Sequence, residues 1–359
     1  MAKRDYSLLG PNGKHAVDIG LAAAEWYHSD VPRKDMKALM ARSDQPAIRD
    51  SLIYYGAMIL FAGIGIALWP TLWSLPVWLA YSVLYASGAD SRWHEAGHGT
   101  AFRTRWMNQI VYQIACFMLF RNPTLWRWSH ARHHSDTIIV GRDPEIQTMR
   151  PPKLLMPFLA LIGNHQFQNF LAIFRHALHG LNDEEKSFTP EAEWNNAQRT
   201  ARIWLVILAA TLLTALATRS FLPFMVIGIG PTVLGSWHFI LTGLLQHTGM
   251  ADNVLDHRLN SRTVLMNPIS RFIYWNMNYH VEHHMFQMLP YHALPRLHDA
   301  IKGDLPPPNS RIADGLAEVT DALRRQRTDP EYRIEKPLPP TAKPYRMDLH
   351  DIALDIAAE

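Results

Sequence analysis

Nine of the chain's histidines fall into a pattern suited to binding metal. His94 and His98 form HxxxH, and His130, His133 and His134 form HxxHH. His280, His283 and His284 repeat HxxHH, and His247 stands alone upstream of that last cluster. On a helix, positions i, i+3 and i+4 share a face, so each cluster would present its imidazoles in roughly one direction. Neutral imidazole is the commonest protein ligand for transition metals. Eight or nine ligands are too many for one ion, so the inventory implies two metals. Adjacent histidines such as His133 and His134 diverge by about 100° on a helix and can serve different ions.

The elements that must position these clusters are apolar and concentrated. Leu52 to Trp69 is an uncharged run ending at Pro70, and Thr71 to Ser87 follows without a charge. Ile203 to Thr218 is a third run, broken by Arg219, and Phe221 to Leu245 is a fourth with His238 as its one ionisable group. A spanning helix needs about 20 largely apolar residues, so the four runs predict two transmembrane hairpins. Buried helices of a soluble α-domain are the alternative. If both hairpins span, 34 of the 35 Lys and Arg residues lie on one side, with Arg219 alone opposite. The positive-inside rule makes that side cytoplasmic, with every histidine cluster and both termini.

The remaining sequence fits around this frame. Trp106 to Phe120 and Leu154 to Gly163 are too short to span and suit re-entrant or interfacial helices. Asp30 to Asp50 reads as an amphipathic surface helix, and Ile312 to Arg325 as a short helix before an extended, proline-rich tail. The expected organisation is a cytosolic segment over 1–51, a membrane and catalytic domain over 52–302, and a cytosolic tail over 303–359. The 359 residues carry a formal net charge of +3, which gives no indication of nucleic acid. Cys116 is the single cysteine, so the chain has no intrachain disulfide and no iron–sulfur motif of its own. The first 50 residues lack the apolar core of a secretory signal peptide.

Two other chemistries compete. His94-Glu95-Ala96-Gly97-His98 is HExxH, the zinc-protease string in which two histidines bind the ion and the glutamate is general base. An intramembrane zinc protease using His94, Glu95 and His98 would leave both HxxHH clusters unexplained. A membrane haem or metal carrier would place its histidines within spanning helices, whereas these lie outside the apolar runs.

The three clusters and their surroundings, His94 to Phe102 and Asn278 to Phe286, resemble the membrane fatty-acid desaturase and hydroxylase superfamily over roughly residues 50–300. Residue by residue, His94 and His98 match the first histidine box, His130, His133 and His134 the second, and His280, His283 and His284 the third. His247 falls where the family commonly has a further ligand. Stearoyl-type members have asparagine four residues earlier, where this chain has Gly243. Ser91-Arg92-Trp93 and Gly141 to Glu145 resemble a bacterial branch labelled as desaturase-like proteins of rhizopine catabolism. The resemblance implies a non-haem di-iron centre that activates O₂, an all-α integral membrane fold with about four transmembrane helices and a cytosolic helical cap, and a bacterial inner-membrane location. It also implies an external electron donor, a ferredoxin, of Rieske type in the bacterial branch, and membrane lipid as a partner.

Glu95, Glu282 and Asp143 are candidates to hydrogen-bond ligand imidazoles. Asp143 before Pro144 serves equally as a helix cap. Asp136 and Glu145 have the same two readings, and Arg127 and Arg132 suit an acidic donor, lipid phosphate or solvent. No catalytic residue beyond the metal ligands is evident. The expected reaction is oxidation of an unactivated C–H bond, by desaturation or hydroxylation of a lipid acyl chain. The alternative is hydroxylation or oxidative demethylation of a small methylated substrate.

Overall fold

The computed structural model describes residues 4–22 and 24–346. Those residues build helices joined by loops, with two isolated β-bridges, Thr263–Tyr279 and Val264–Asn309, and no strand. Two helices, Gln45–Leu68 and Glu191–Thr218, are long and apolar enough to cross a bilayer. Their outward faces are apolar: Leu52, Ile59 and Leu60 on the first, Val206, Leu213 and Leu216 on the second, are all more than half exposed. An apolar face of this size needs a cover, and lipid supplies one.

The second apolar run continues into the first histidine cluster. Helix Ser74–Val83 passes through a π-turn at Leu84–Gly88 and straight into helix Ala89–His98. This rod packs against Gln45–Leu68, where the Trp78 indole lies against Gly65. Its lower half, from Leu84 to Ala96, is buried throughout. The π-turn carbonyl of Leu84 accepts the Tyr54 hydroxyl at 2.8 Å. The largest apolar cluster forms around the rod, from Tyr54, Trp78, Tyr85, Trp93, Tyr112 and Cys116 among others.

The fourth apolar run differs from the expected single span. It is three pieces, Leu222–Val226, Ile229–Leu234 and Ser236–His247. Gly228 breaks it with φ +99°, a conformation open to glycine, and Pro231 cannot continue an upstream helix. Neighbours satisfy the freed backbone groups: Tyr81 donates to the Val226 carbonyl at 2.7 Å, and the Tyr85 hydroxyl accepts the Gly228 N–H at 3.2 Å. Interrupted backbone at membrane depth is tolerated where protein supplies such partners.

The two shorter apolar stretches form helices as well. Arg105–Leu119 buries Val111, Tyr112 and Cys116 and exposes Trp106, Ile110 and Ile114. Leu155–Leu161 buries none of its side chains fully. Only Arg33–Leu39 of the expected amphipathic segment forms a separate helix, because the long helix already starts at Gln45, with Pro46 in its first turn. Ile312–Arg325 is a helix as expected, packed on Ser236–His247 where Gly315 meets Leu245.

Candidate metal centre

Four helices bring the histidines together. Ala89–His98 carries His94 and His98 one turn apart, and Pro123–Ser135 carries His130, His133 and His134 in its last two turns. Asn122 caps the latter by accepting the Thr124 amide at 3.1 Å, and Pro123 sits at its first position. His280, His283 and His284 come from the short helix His280–Met285, and His247 ends Ser236–His247.

All nine converge, and they sort into two groups. His94, His98, His130, His134 and His283 offer nitrogen atoms within 4.8 Å of one another, as do His133, His247, His280 and His284. Adjacent histidines are divided between the groups: His133 from His134, and His283 from His284. In the first group the Nε2 atoms of His98 and His130, and of His130 and His134, are 3.1 Å apart. In the second, His247 and His280 are 2.9 Å apart and His280 and His284 are 3.1 Å apart. Two imidazoles at right angles around one ion, each bound at about 2.1 Å, would be about 3.0 Å apart. The buried His94 ring has no hydrogen-bond partner on either nitrogen, an orphaned donor set aimed at the same point.

The electrostatics also suit metal ligands, which must be unprotonated. Burial, then repulsion from neighbouring imidazoles, pushes His94, His130, His134, His280, His283 and His284 well below the ordinary histidine value. Burial also holds His98 down at about 4. His133 moves the other way: burial opposes its charge, but the Asp143 carboxylate outweighs that and raises it.

Carboxylates orient several rings. Asp143 accepts from His133 Nδ1 at 2.9 Å, and Glu145 accepts from His130 Nδ1 at 3.1 Å and from Ser129 at 2.8 Å. Glu95 is fully buried, with one oxygen 3.5 Å from His283 Nδ1 and 3.8 Å from His94 Nδ1, and burial pushes its carboxyl up to about 8. Turned into the protein beside Thr100, it does not face a site where a zinc-protease base would meet substrate water. Glu282 points elsewhere, accepting from Thr263 at 2.6 Å and from His298 Nδ1 in a close contact. His298 lacks box spacing, and its partner lies 16 residues away on another helix, so the sequence gives no sign of the pair.

A cavity of ≈ 570 Å³ adjoins both groups, with His94, His130, His133 and His280 in its wall. Gly243 also lines it, and a Cβ there would come within 3.3 Å of the Gln147 amide. Asn164, His165, Gln168 and Asn169 share a face of helix Asn164–His179 and line it too. None of these four, nor Gln147, makes a side-chain hydrogen bond among the described residues. Arg121, the cavity's one Lys or Arg among them, is paired with Asp90 at 3.0 Å and stacked 3.9 Å from the Trp126 ring.

The sequence model of the fatty acid desaturase family matches residues 67–314, more than half of the chain. The chain belongs to that family. Three curated relatives are desaturases. Fatty acid desaturase 3 of Bos taurus is 26% identical, across 79% of this chain and 71% of the relative. The sn-1 acyl-lipid omega-3 desaturase (ferredoxin) of Nostoc sp. (strain 36) is 23% identical, across 75% and 79%. The acyl-lipid (9-3)-desaturase of Physcomitrium patens is 23% identical, across 86% and 67%. This desaturase-family chain is therefore an oxidoreductase of lipid metabolism with a histidine-rich metal-binding cluster, associated with a membrane.

Proposed function

We propose that the chain is a membrane-bound, non-haem di-iron enzyme that uses O₂ to oxidise unactivated C–H bonds. The observation that carries this is the division of nine buried or nearly buried imidazoles into neighbouring groups of five and four. Imidazole donors suit iron, and family membership favours iron over zinc. When bound, two ferrous ions would supply O₂ activation for hydrogen abstraction. Around them, Asp143 and Glu145 fix ring orientation and tautomer in His133 and His130, and Glu95 lies between His283 and His94. Buried Trp93, whose ring centroid is 5.1 Å from that of His130, helps keep water from the site. His94, His130, His133 and His280 in the cavity wall bring the substrate carbon within reach of both groups.

The first substrate reading is an acyl chain of membrane lipid, undergoing desaturation or hydroxylation. The relatives' names and the ferredoxin named for the Nostoc protein support it, with a ferredoxin as the external reductant. The unpartnered amides of the cavity favour the second reading, a small methylated substrate hydroxylated or demethylated with a Rieske-type ferredoxin. An acyl chain would cover those amides without hydrogen-bonding them, at a cost of about 1–3 kcal/mol each. In the proposed topology two hairpins span the bacterial inner membrane, with the broken helix 222–247 completing the second. Both termini and the metal cap are cytoplasmic.

The test is to purify the protein in detergent, quantify iron and zinc, then follow O₂ uptake with ferredoxin and acyl lipid. About two irons per chain with an alkene or hydroxy-acyl product supports the first reading. The same iron without lipid turnover, but with formaldehyde released from a methylated compound, supports the second. One zinc and no iron after anaerobic reconstitution overturns both and returns the protease.

A further inference from the structure

O₂ chemistry at this centre consumes electrons from another protein, and every ligand ring is buried or nearly so. A short aromatic path leads from the surface to the centre. The half-buried Trp26 indole stacks face to face on His257, with centroids 4.3 Å apart and planes 2° from parallel. His257 is 2% exposed, and its centroid is 5.1 Å from that of His284 in the four-histidine group. His284 in turn stacks on His134 of the five-histidine group at 4.4 Å.

The path is held in place from several sides. The Trp26 indole N–H donates to the Ser135 carbonyl at 3.1 Å, and its ring packs on the apolar cluster of Ala16, Leu21, Ile139 and Leu255. The next residue, Tyr27, donates its backbone N–H to the Leu255 carbonyl at 2.9 Å and lies 3.7 Å from the Arg258 guanidinium. His257 Nδ1 is 3.3 Å from the Asn260 side-chain oxygen. Beside Ser135, Arg132 and Arg142 share the carboxylate of Asp136, and Arg346 donates to the Glu25 carbonyl, so three guanidinium groups stand against the carboxylates of Asp136 and Glu25 on this face.

We propose that Trp26 and His257 are the electron-input bridge, and that an acidic, one-electron iron–sulfur protein docks over Trp26. This rests on the reading of the histidine groups as the iron site. Each docking oxidises the donor's cluster by one electron and reduces the iron pair by one, with no net change in Trp26 or His257. Two dockings supply two electrons, and solvent supplies two protons. Two hydrogen atoms lost from the substrate's C–H bonds, which carry the other two electrons and two protons, complete the reduction of O₂ to two waters when an alkene forms. When an alcohol forms, one oxygen atom stays in the product and one water is released.

The experiment compares wild type, Trp26→Leu, Trp26→Phe and His28→Glu, the last at an exposed residue beside Trp26. For each, iron content, anaerobic reduction by dithionite, anaerobic reduction by a reduced plant-type [2Fe–2S] ferredoxin, and ferredoxin affinity of the metal-free protein are measured. Trp26→Leu should keep its iron and its dithionite rate while ferredoxin-driven reduction falls about tenfold, the order expected when close positioning is lost. Trp26→Phe, which keeps an aromatic ring, should retain most of the ferredoxin-driven rate. His28→Glu should weaken ferredoxin binding about fivefold at low salt, with the difference shrinking as salt rises. Unchanged ferredoxin-driven reduction in Trp26→Leu overturns the bridge, as does equal slowing with dithionite. Unchanged affinity in His28→Glu overturns the docking face. A wild-type protein without iron defeats the di-iron reading instead, while the affinity measurement still reports on docking.

Discussion

His133 Nδ1 and the Asp143 carboxylate are 2.9 Å apart, and the same carboxylate oxygen accepts the Ile138 amide at 2.7 Å. One aspartate thus orders the loop after the second histidine cluster and fixes a ring of the four-histidine group. Asp143→Asn keeps the shape and removes the charge. Partners of this kind are worth about 10–100-fold in metal affinity. Under chelator challenge the variant should lose iron from one site first, read as iron per chain falling from about two towards one.

His283 and His284 are neighbours in sequence assigned to different groups. His283→Ala leaves four candidate ligands in its group, whereas His284→Ala leaves three. Each single variant should therefore hold about one iron, with the deeper loss of affinity in His284→Ala, and the double variant should hold almost none. Equal retention of two irons in both would sink the assignment.

Glu185 tests the cavity mouth by pH. Burial alone would raise its carboxyl, but hydrogen bonds from Arg175 at 2.6 Å and His176 at 2.9 Å outweigh that and lower it to about 2. A carboxylate depressed in the folded state stabilises above its unfolded value near 4.5, and that stability is lost as pH falls towards about 2. Glu185→Gln should cost about 1 kcal/mol at pH 7 after solvent screening, and the gap should narrow towards about pH 3 in paired thermal melts.

Gly235 marks where the broken helix crosses the rod. A Cβ there would lie 1.9 Å from the Ser82 carbonyl oxygen, which is backbone and cannot swing aside. Gly235→Ala should lower the melting temperature in detergent, at a cost of about 1–3 kcal/mol. Because the same rod carries His94, iron retention should fall with it.

The histidine clusters were legible because i, i+3, i+4 spacing on a helix is itself a geometric statement, and the eight residues named from it meet in the structure, joined by His247, which the family resemblance had singled out. Asp143 was legible as well, since its partner is ten residues away in one connected segment. Glu282 misled: lying within a box suggested service to a ligand, yet its carboxylate turns to Thr263 and His298. His257 gave no signal, because its role depends on Trp26, more than 200 residues earlier. The fourth apolar run carried its own warning in Gly228 and Pro231, but hydropathy averages over both. The cavity was illegible for a different reason, since its walls need residues from several helices to converge.

The sequence separation of the ligands has a consequence for biosynthesis. The five-histidine group draws on residues 94 to 283 and the four-histidine group on 133 to 284. Neither group can close before the ribosome has passed both, so metal loading is a late event, after the upstream helices have been released to the bilayer. A transcript cut short before codon 280 would yield an inserted protein that lacks ligands from both groups.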